Sequence, residues 1–153
     1  MLTIKTLTVA VILLIVTNAN SQILFGIDVS RTDSTEGWTK EKEYKKKSDI
    51  YSKSNIGIWD KVYLIEEEGF VFTSKEKNNL LHSIAYKELE YYLGSPTKDK
   101  SWYGINGMFK DKTQLEQNIL EGNAFLLNIW ETTNSTISLL YDSKSLQVTV
   151  KIK

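Results

Sequence analysis

The octapeptide GSPTKDKS at residues 94–101 sets a glycine ahead of a Lys-Ser pair, close to the G-x-x-x-x-G-K-[ST] loop whose backbone amides cradle nucleotide phosphates. The chemistry fails at Asp99, which puts a side chain and a negative charge where backbone must approach an anion. The context fails as well. A phosphate loop follows a strand and feeds the N-terminus of a helix, whereas here a helical pattern precedes the glycine and WYGIN follows the Lys-Ser pair.

The remaining residues capable of chemistry form no recognisable constellation. His82 is the single histidine and cysteine is absent, so a histidine-dependent nucleophile would have to use a residue on the flank of a structural helix, with no G-x-S-x-G turn in support. It reads as a surface or boundary histidine. One histidine and no thiol leave transition metals without a ligand set. DVSRTDS (28–34) spaces oxygen-bearing residues like a calcium loop but lacks the sixth-position glycine and closing glutamate, and Glu66, Glu67 and Glu68 stand without further ligands. No cofactor or metal is expected. Among 19 acidic residues none is singled out as half of a glycosidase-type pair.

Four tryptophans, at 38, 59, 102 and 130, are the other candidates. Trp59 and Trp130 lie in strand-like runs and are expected in the core. Trp102 and Tyr103, in a connection, are the residues expected to meet a partner. Asn134-Ser135-Thr136 matches a glycosylation acceptor.

The elements that would position these residues follow from periodicity. IGIWDKVYLI (56–65), a turn at 66–69 and FVFT (70–73) read as a hairpin. Thr73 with Glu76 has capping-box spacing and opens a helix predicted over about 74–93, its apolar side containing Leu80, Leu81, Ile84, Ala85, Leu89 and Tyr92. Glu88 falls inside that stripe without a local reason. Gly94 and Pro96 end the helix. Thr113 and Glu116 repeat the capping spacing ahead of Leu115, Ile119 and Leu120, with Gly122 closing a second, short helix. AFLLNIWE, STISLLYD and LQVTVKIK are three strand-like runs joined by short turns, and in the last Leu146, Val148, Val150 and Ile152 alternate with Gln147, Thr149, Lys151 and Lys153. That alternation marks a sheet with one covered and one wet face. The fold class is therefore α+β in two layers, an antiparallel sheet with a C-terminal three-stranded meander covered by the 74–93 helix.

At the N-terminus, Lys5, an apolar run of about ten residues (LTVAVILLIV) and small residues at Ala19 and Ser21 read as a secretory signal over 1–21. The run is shorter than the roughly 20 residues that span a bilayer as a helix, although retention as a signal-anchor is the alternative. A single domain over 22–153 is expected, secreted or periplasmic, with no stable membrane span once the signal is cleaved. An exported chain without disulfides relies on its core alone. The formal charge is zero, which gives no field for nucleic acid. Residues 30–55 are mostly polar and read as a surface excursion or solvated helix, with KEKEYKKK (40–47) as a solvated face.

The succession of a helix, LGSP (93–96), a polar loop, SWYG (101–104) and a β-meander resembles small α+β envelope proteins of Gram-negative bacteria, the outer-membrane-assembly lipoprotein and β-lactamase-inhibitor-protein-like group. The likeness covers residues 80–153 and is carried by Leu89, Leu93-Gly94, Pro96 and Trp102. The chain departs from the group in having no lipid-attachment cysteine, a helix that interrupts the meander and no counterpart for 30–55. The resemblance implies a helix-on-sheet scaffold that binds proteins and carries no catalytic residues. The function expected is thus a non-enzymatic protein-binding or envelope-accessory protein, its partner an envelope or secreted protein. The alternatives are a small secreted hydrolase using carboxylates and a carbohydrate-binding module, the latter requiring Trp102 and Tyr103 to be exposed and coplanar.

Overall fold

The computed structural model describes residues 22–41 and 48–153; the signal reading of 1–21 and most of the KEKEYKKK run lie outside them. Strand pairing organises the rest. β1 (Ile23–Leu24) and β2 (Ile27–Asp28) form a small hairpin. β3 (Thr39–Lys40), β4 (Ile50–Ile56), β5 (Trp59–Ile65), β6 (Gly69–Ser74), β7 (Lys98–Asp99), β8 (Leu126–Glu131), β9 (Ser135–Tyr141) and β10 (Leu146–Ile152) build one antiparallel sheet. Its order is β3-β4-β5-β6-β10-β9-β8-β7. The C-terminal meander forms as its alternation predicts and β5-β6 forms the expected hairpin, to which β4 is added; among the long strands of the described residues the non-sequential neighbours are β6 and β10, which close the two halves into one sheet.

Gly69 makes that closure possible. At φ 135°, a side-chain carbon there would lie 1.9 Å from the Val150 carbonyl oxygen, so only a glycine lets the start of β6 approach β10. One face of the sheet then becomes continuous core. Val62, Leu64, Phe70, Phe72, Val148 and Ile137 are among its fully buried residues. Their alternates on the other face, such as Tyr63, Val71, Thr149, Ser138 and Ile129, are only partly covered and pair in one row across five strands.

The core face is covered by α1 (Asn79–Leu93), which buries Ala85 and Leu89, and by α2 (Lys112–Leu120), which contributes Leu115 and Ile119. The expected start of α1 moves. Asn78, whose side chain accepts from Leu81 N at 2.9 Å, is the cap, because Thr73 and Ser74 are held in β6 between β5 and β10; the Thr73 hydroxyl donates to Lys61 O instead. Gly94 ends α1 as expected, at φ 77°, its amide donating to Glu90 O at 2.8 Å. In α2 the cap is Asp111, which accepts from Thr113 N. Glu116 accepts from Asn79 N at 3.3 Å and so joins the two helices.

Glu88 also finds a tertiary reason: its carboxylate accepts from Phe25 N at 2.8 Å. Phe25 turns the β1–β2 hairpin at φ 52°, so the helix fixes the hairpin that brings Leu24, Phe25 and Ile27 onto the core. Part of the polar 30–55 stretch is sheet. β4 occupies Ile50–Ile56 despite its composition, since a strand with one wet face needs few apolar residues. Trp38 anchors the preceding segment, its ring 6.1 Å from that of Phe70. Among the described residues no helix is long and apolar enough to cross a membrane.

Candidate interaction site

After Gly94 and Pro96 the chain returns along the edge of the sheet. β7 pairs with β8, and the pairing continues at Trp102, which exchanges both backbone bonds with Phe125 (2.8 and 2.9 Å). The Ser101 hydroxyl accepts from Leu127 N at 2.9 Å. Alternation along this edge decides where each side chain goes. Lys98, Lys100 and Trp102 stand opposite Ile129, Leu127 and Phe125 on the outer face, and the indole of Trp102 lies 6.2 Å from the Phe125 ring. Asp99, Ser101 and Tyr103 turn toward the helices.

Trp102 and Tyr103 are thereby separated. Trp102 is 42 % exposed, whereas Tyr103 is half-buried against the core. They form no coplanar platform.

Beyond Tyr103 the chain makes a closed loop. Phe109 N donates to Tyr103 O at 3.0 Å, and Gly107, Met108 and Lys110 amides donate to the carbonyls of Gly104, Ile105 and Gly107. Phe109 packs beside Tyr103 on the core. Gly104 is buried at φ 76°, and a side-chain carbon there would come within 2.4 Å of the Phe109 ring, so this position requires glycine. A braced loop thus displays Ile105, 73 % exposed, and Met108, 64 % exposed, a few residues along the chain from Trp102. Sequence reasoning missed Ile105 and Met108. Two large apolar residues set among glycines, with no strand or helix period to assign them a covered face, were the signal that could have found them.

The other chemical candidates are dispersed. In GSPTKDKS, Lys98 Nζ is 2.7 Å from Glu131 and Asp99 accepts from Ser101 N; no helix N-terminus follows, and the segment is an edge strand. Asp28 accepts from both Ser30 N and Ser30 Oγ, and Arg31 pairs with Asp33, so the DVSRTDS oxygens are engaged locally. A cavity of about 230 Å³ lies between this turn, Trp38 and Lys53. Lys53 Nζ sits 4.9 Å over the Trp38 ring, which occupies the indole face a sugar would need. Among the described residues no group of three or more His, Asp or Glu is placed to hold a metal ion.

His82 is half-buried, as a boundary residue is, but its ring faces inward. Its ring stacks on Tyr141 at 5.8 Å, and Nε2 is buried without a hydrogen-bond partner, as is the Tyr141 hydroxyl. Burial depresses the imidazole to about 4, and burial with the Glu116 charge raises Tyr141 to about 12. Both stay neutral near pH 7 and pack as aromatic groups. The carboxylates that are displaced move downward. The ion pair with Lys61 and the Ser52 hydroxyl lower Glu41; Lys98 lowers Glu131; the guanidinium of Arg31 lowers Asp33. None of these is tuned toward general-acid work, which needs a raised value.

Fold and site together define a two-layer α+β protein with one partly covered sheet face and a braced apolar loop at its edge. Comparisons with family models, with curated proteins and with solved structures give no match to this chain.

Proposed function

We propose that the protein is an exported, non-enzymatic accessory protein of the cell envelope that binds its target through the loop from Trp102 to Met108. One observation carries the proposal: three large apolar side chains, Trp102, Ile105 and Met108, are exposed within one seven-residue segment (102–108) whose backbone is tied down by its own hydrogen bonds and by two half-buried rings. Rigid aromatic and apolar anchors on ordered loops lose little entropy on binding, and such anchors dominate the energetics of interfaces. Tyr103 supports the loop from below and does not itself meet the target. Export rests on the N-terminal pattern of charge, apolar run and small residues.

The alternatives draw less support. A carboxylate hydrolase needs two acids in one cleft with one held protonated, and the displaced carboxylates all move the other way. A carbohydrate-binding module needs a flat aromatic surface, and Trp102 and Tyr103 face opposite sides of the edge. The test is a photo-reactive residue at position 105 of the full chain in its own host. Irradiation traps an envelope component in the wild-type background, and the adduct disappears in Trp102→Ala. No adduct, or one indifferent to Trp102, would remove the proposal.

A further inference from the structure

The charges and the backbone around the loop narrow what it meets. Residues 98–112 hold four lysines and two aspartates in a chain whose formal charge is zero. Lys98 is paired with Glu131; Asp99 and Asp111 keep their negative charges while accepting hydrogen bonds from Ser101 N and Thr113 N, so the four lysines and two aspartates leave the segment with a positive excess. Lys100 on the outer face and Lys110, 5.7 Å over the Tyr103 ring, make no ion pair among the described residues. The apolar tip is therefore flanked by cations that want an anionic surface.

The geometry points to insertion of Trp102, Ile105 and Met108 into the interfacial region of an anionic phospholipid bilayer, with Lys100 and Lys110 lying against the lipid phosphates. Three features favour a bilayer over a protein pocket. The amides of Gly107, Met108, Phe109 and Lys110 are all bonded within the loop, so these four donors can leave bulk water without being stranded, while the turn at Ile105 and Asn106 stays at the depth of headgroup oxygens and water. The exposed apolar part of the segment is three side chains, a small footprint beside the roughly 20–30 residues a side of a stable protein interface. An indole beside aliphatic side chains and lysines matches the composition that settles at the headgroup boundary. Shallow insertion also suits an irregular loop, because unpaired backbone is excluded only from the hydrocarbon interior.

This inference rests on the proposed use of the same loop, and the experiment separates the two. The protein purified from its own host is mixed with phosphatidylcholine vesicles and with vesicles of about one-third phosphatidylglycerol, each with brominated acyl chains. All four tryptophans lie at or beyond position 38, so quenching reports on the folded part and not on the N-terminal apolar run. Anionic vesicles are expected to give quenching and a roughly tenfold tighter partition than neutral ones, falling with added salt. Ile105→Ser/Met108→Ser is expected to lose most of that preference with unchanged circular dichroism, and Trp102→Phe to keep partition but lose the quenching. Equal binding to both vesicles, no quenching, or quenching that survives Trp102→Phe overturns the inference. If vesicles fail while the position-105 crosslink still captures a protein in a Trp102-dependent way, the bilayer is wrong and the accessory-protein proposal stands; if both fail, neither stands.

Discussion

Acidification should destabilise this protein through His82 before most carboxylates titrate. The imidazole lies on Tyr141 of β9 and beside Tyr86 of its own helix, and loss of solvation is the one cause that lowers its pKa from 6.5 to about 4. The unfolded chain takes up a proton below about pH 6.5, whereas the folded chain refuses it until about pH 4. The stability His82 confers is thus complete above 6.5 and declines as pH falls through this window. The gap of about 2.5 units, at 1.36 kcal/mol each, sets the full loss at roughly 3 kcal/mol, with about 1.4 kcal/mol gone by pH 5.5. That is a large share of the 5–15 kcal/mol typical of a domain. Urea unfolding at steps between about pH 7 and pH 4.5 measures it, with His82→Phe as the comparison, a variant that keeps an aromatic ring on Tyr141 and removes the titrating nitrogen. The wild type should lose roughly 2–3 kcal/mol over that range and the variant less than half as much. Parallel pH profiles would refute the argument, as would an NMR titration midpoint for His82 near 6.5.

Substitutions at three further positions test the scaffold and the loop. Gly69→Ala forces a carbon into the Val150 carbonyl, so it should cost more than roughly 3 kcal/mol or abolish soluble expression, read by unfolding and yield. Glu88→Ala strands the Phe25 amide at the hairpin turn and should cost about 1–3 kcal/mol in thermal or urea unfolding, whereas Glu88→Gln, which keeps an acceptor, should cost less than half of that. Gly104→Ala should disturb the loop while sparing the sheet, because its new carbon meets the Phe109 ring; hydrogen exchange should quicken at Met108, Phe109 and Lys110 and remain unchanged in β9 and β10.

Local pattern carried much of the architecture. The alternation in LQVTVKIK requires one covered and one wet face whatever the neighbours are, and β10 buries Leu146, Val148 and Val150 as that demands. Gly94 ends α1 because a left-handed residue followed by Pro96 cannot extend a helix. Capping was less legible. The spacing of Thr73 and Glu76 offered a start, but two strand partners hold Thr73 in β6 and the cap falls to Asn78. β4 was hidden because a half-exposed strand of Ser, Lys and Asn lacks the apolar signature by which strands are recognised.

At the site, residue types were visible and geometry was not. Trp102 and Tyr103 are adjacent in sequence and equally aromatic, so composition treats them alike. The pairing of Trp102 with Phe125 sets the parity of the edge, sending one ring outward and the other onto the core. Ile105 and Met108 belong to no periodic element, and their exposure follows from a loop closed by Phe109 and a buried Gly104. The sequence alone determined that the protein is α+β, that its C-terminal strands alternate, and that it has no thiols. The tertiary structure alone decided that β6 and β10 are neighbours, why Glu88 belongs inside an apolar stripe, and which aromatic faces outward. Periodicity is a property of neighbouring residues, whereas each of those decisions is a contact between segments far apart in the chain, made only when the whole core closes.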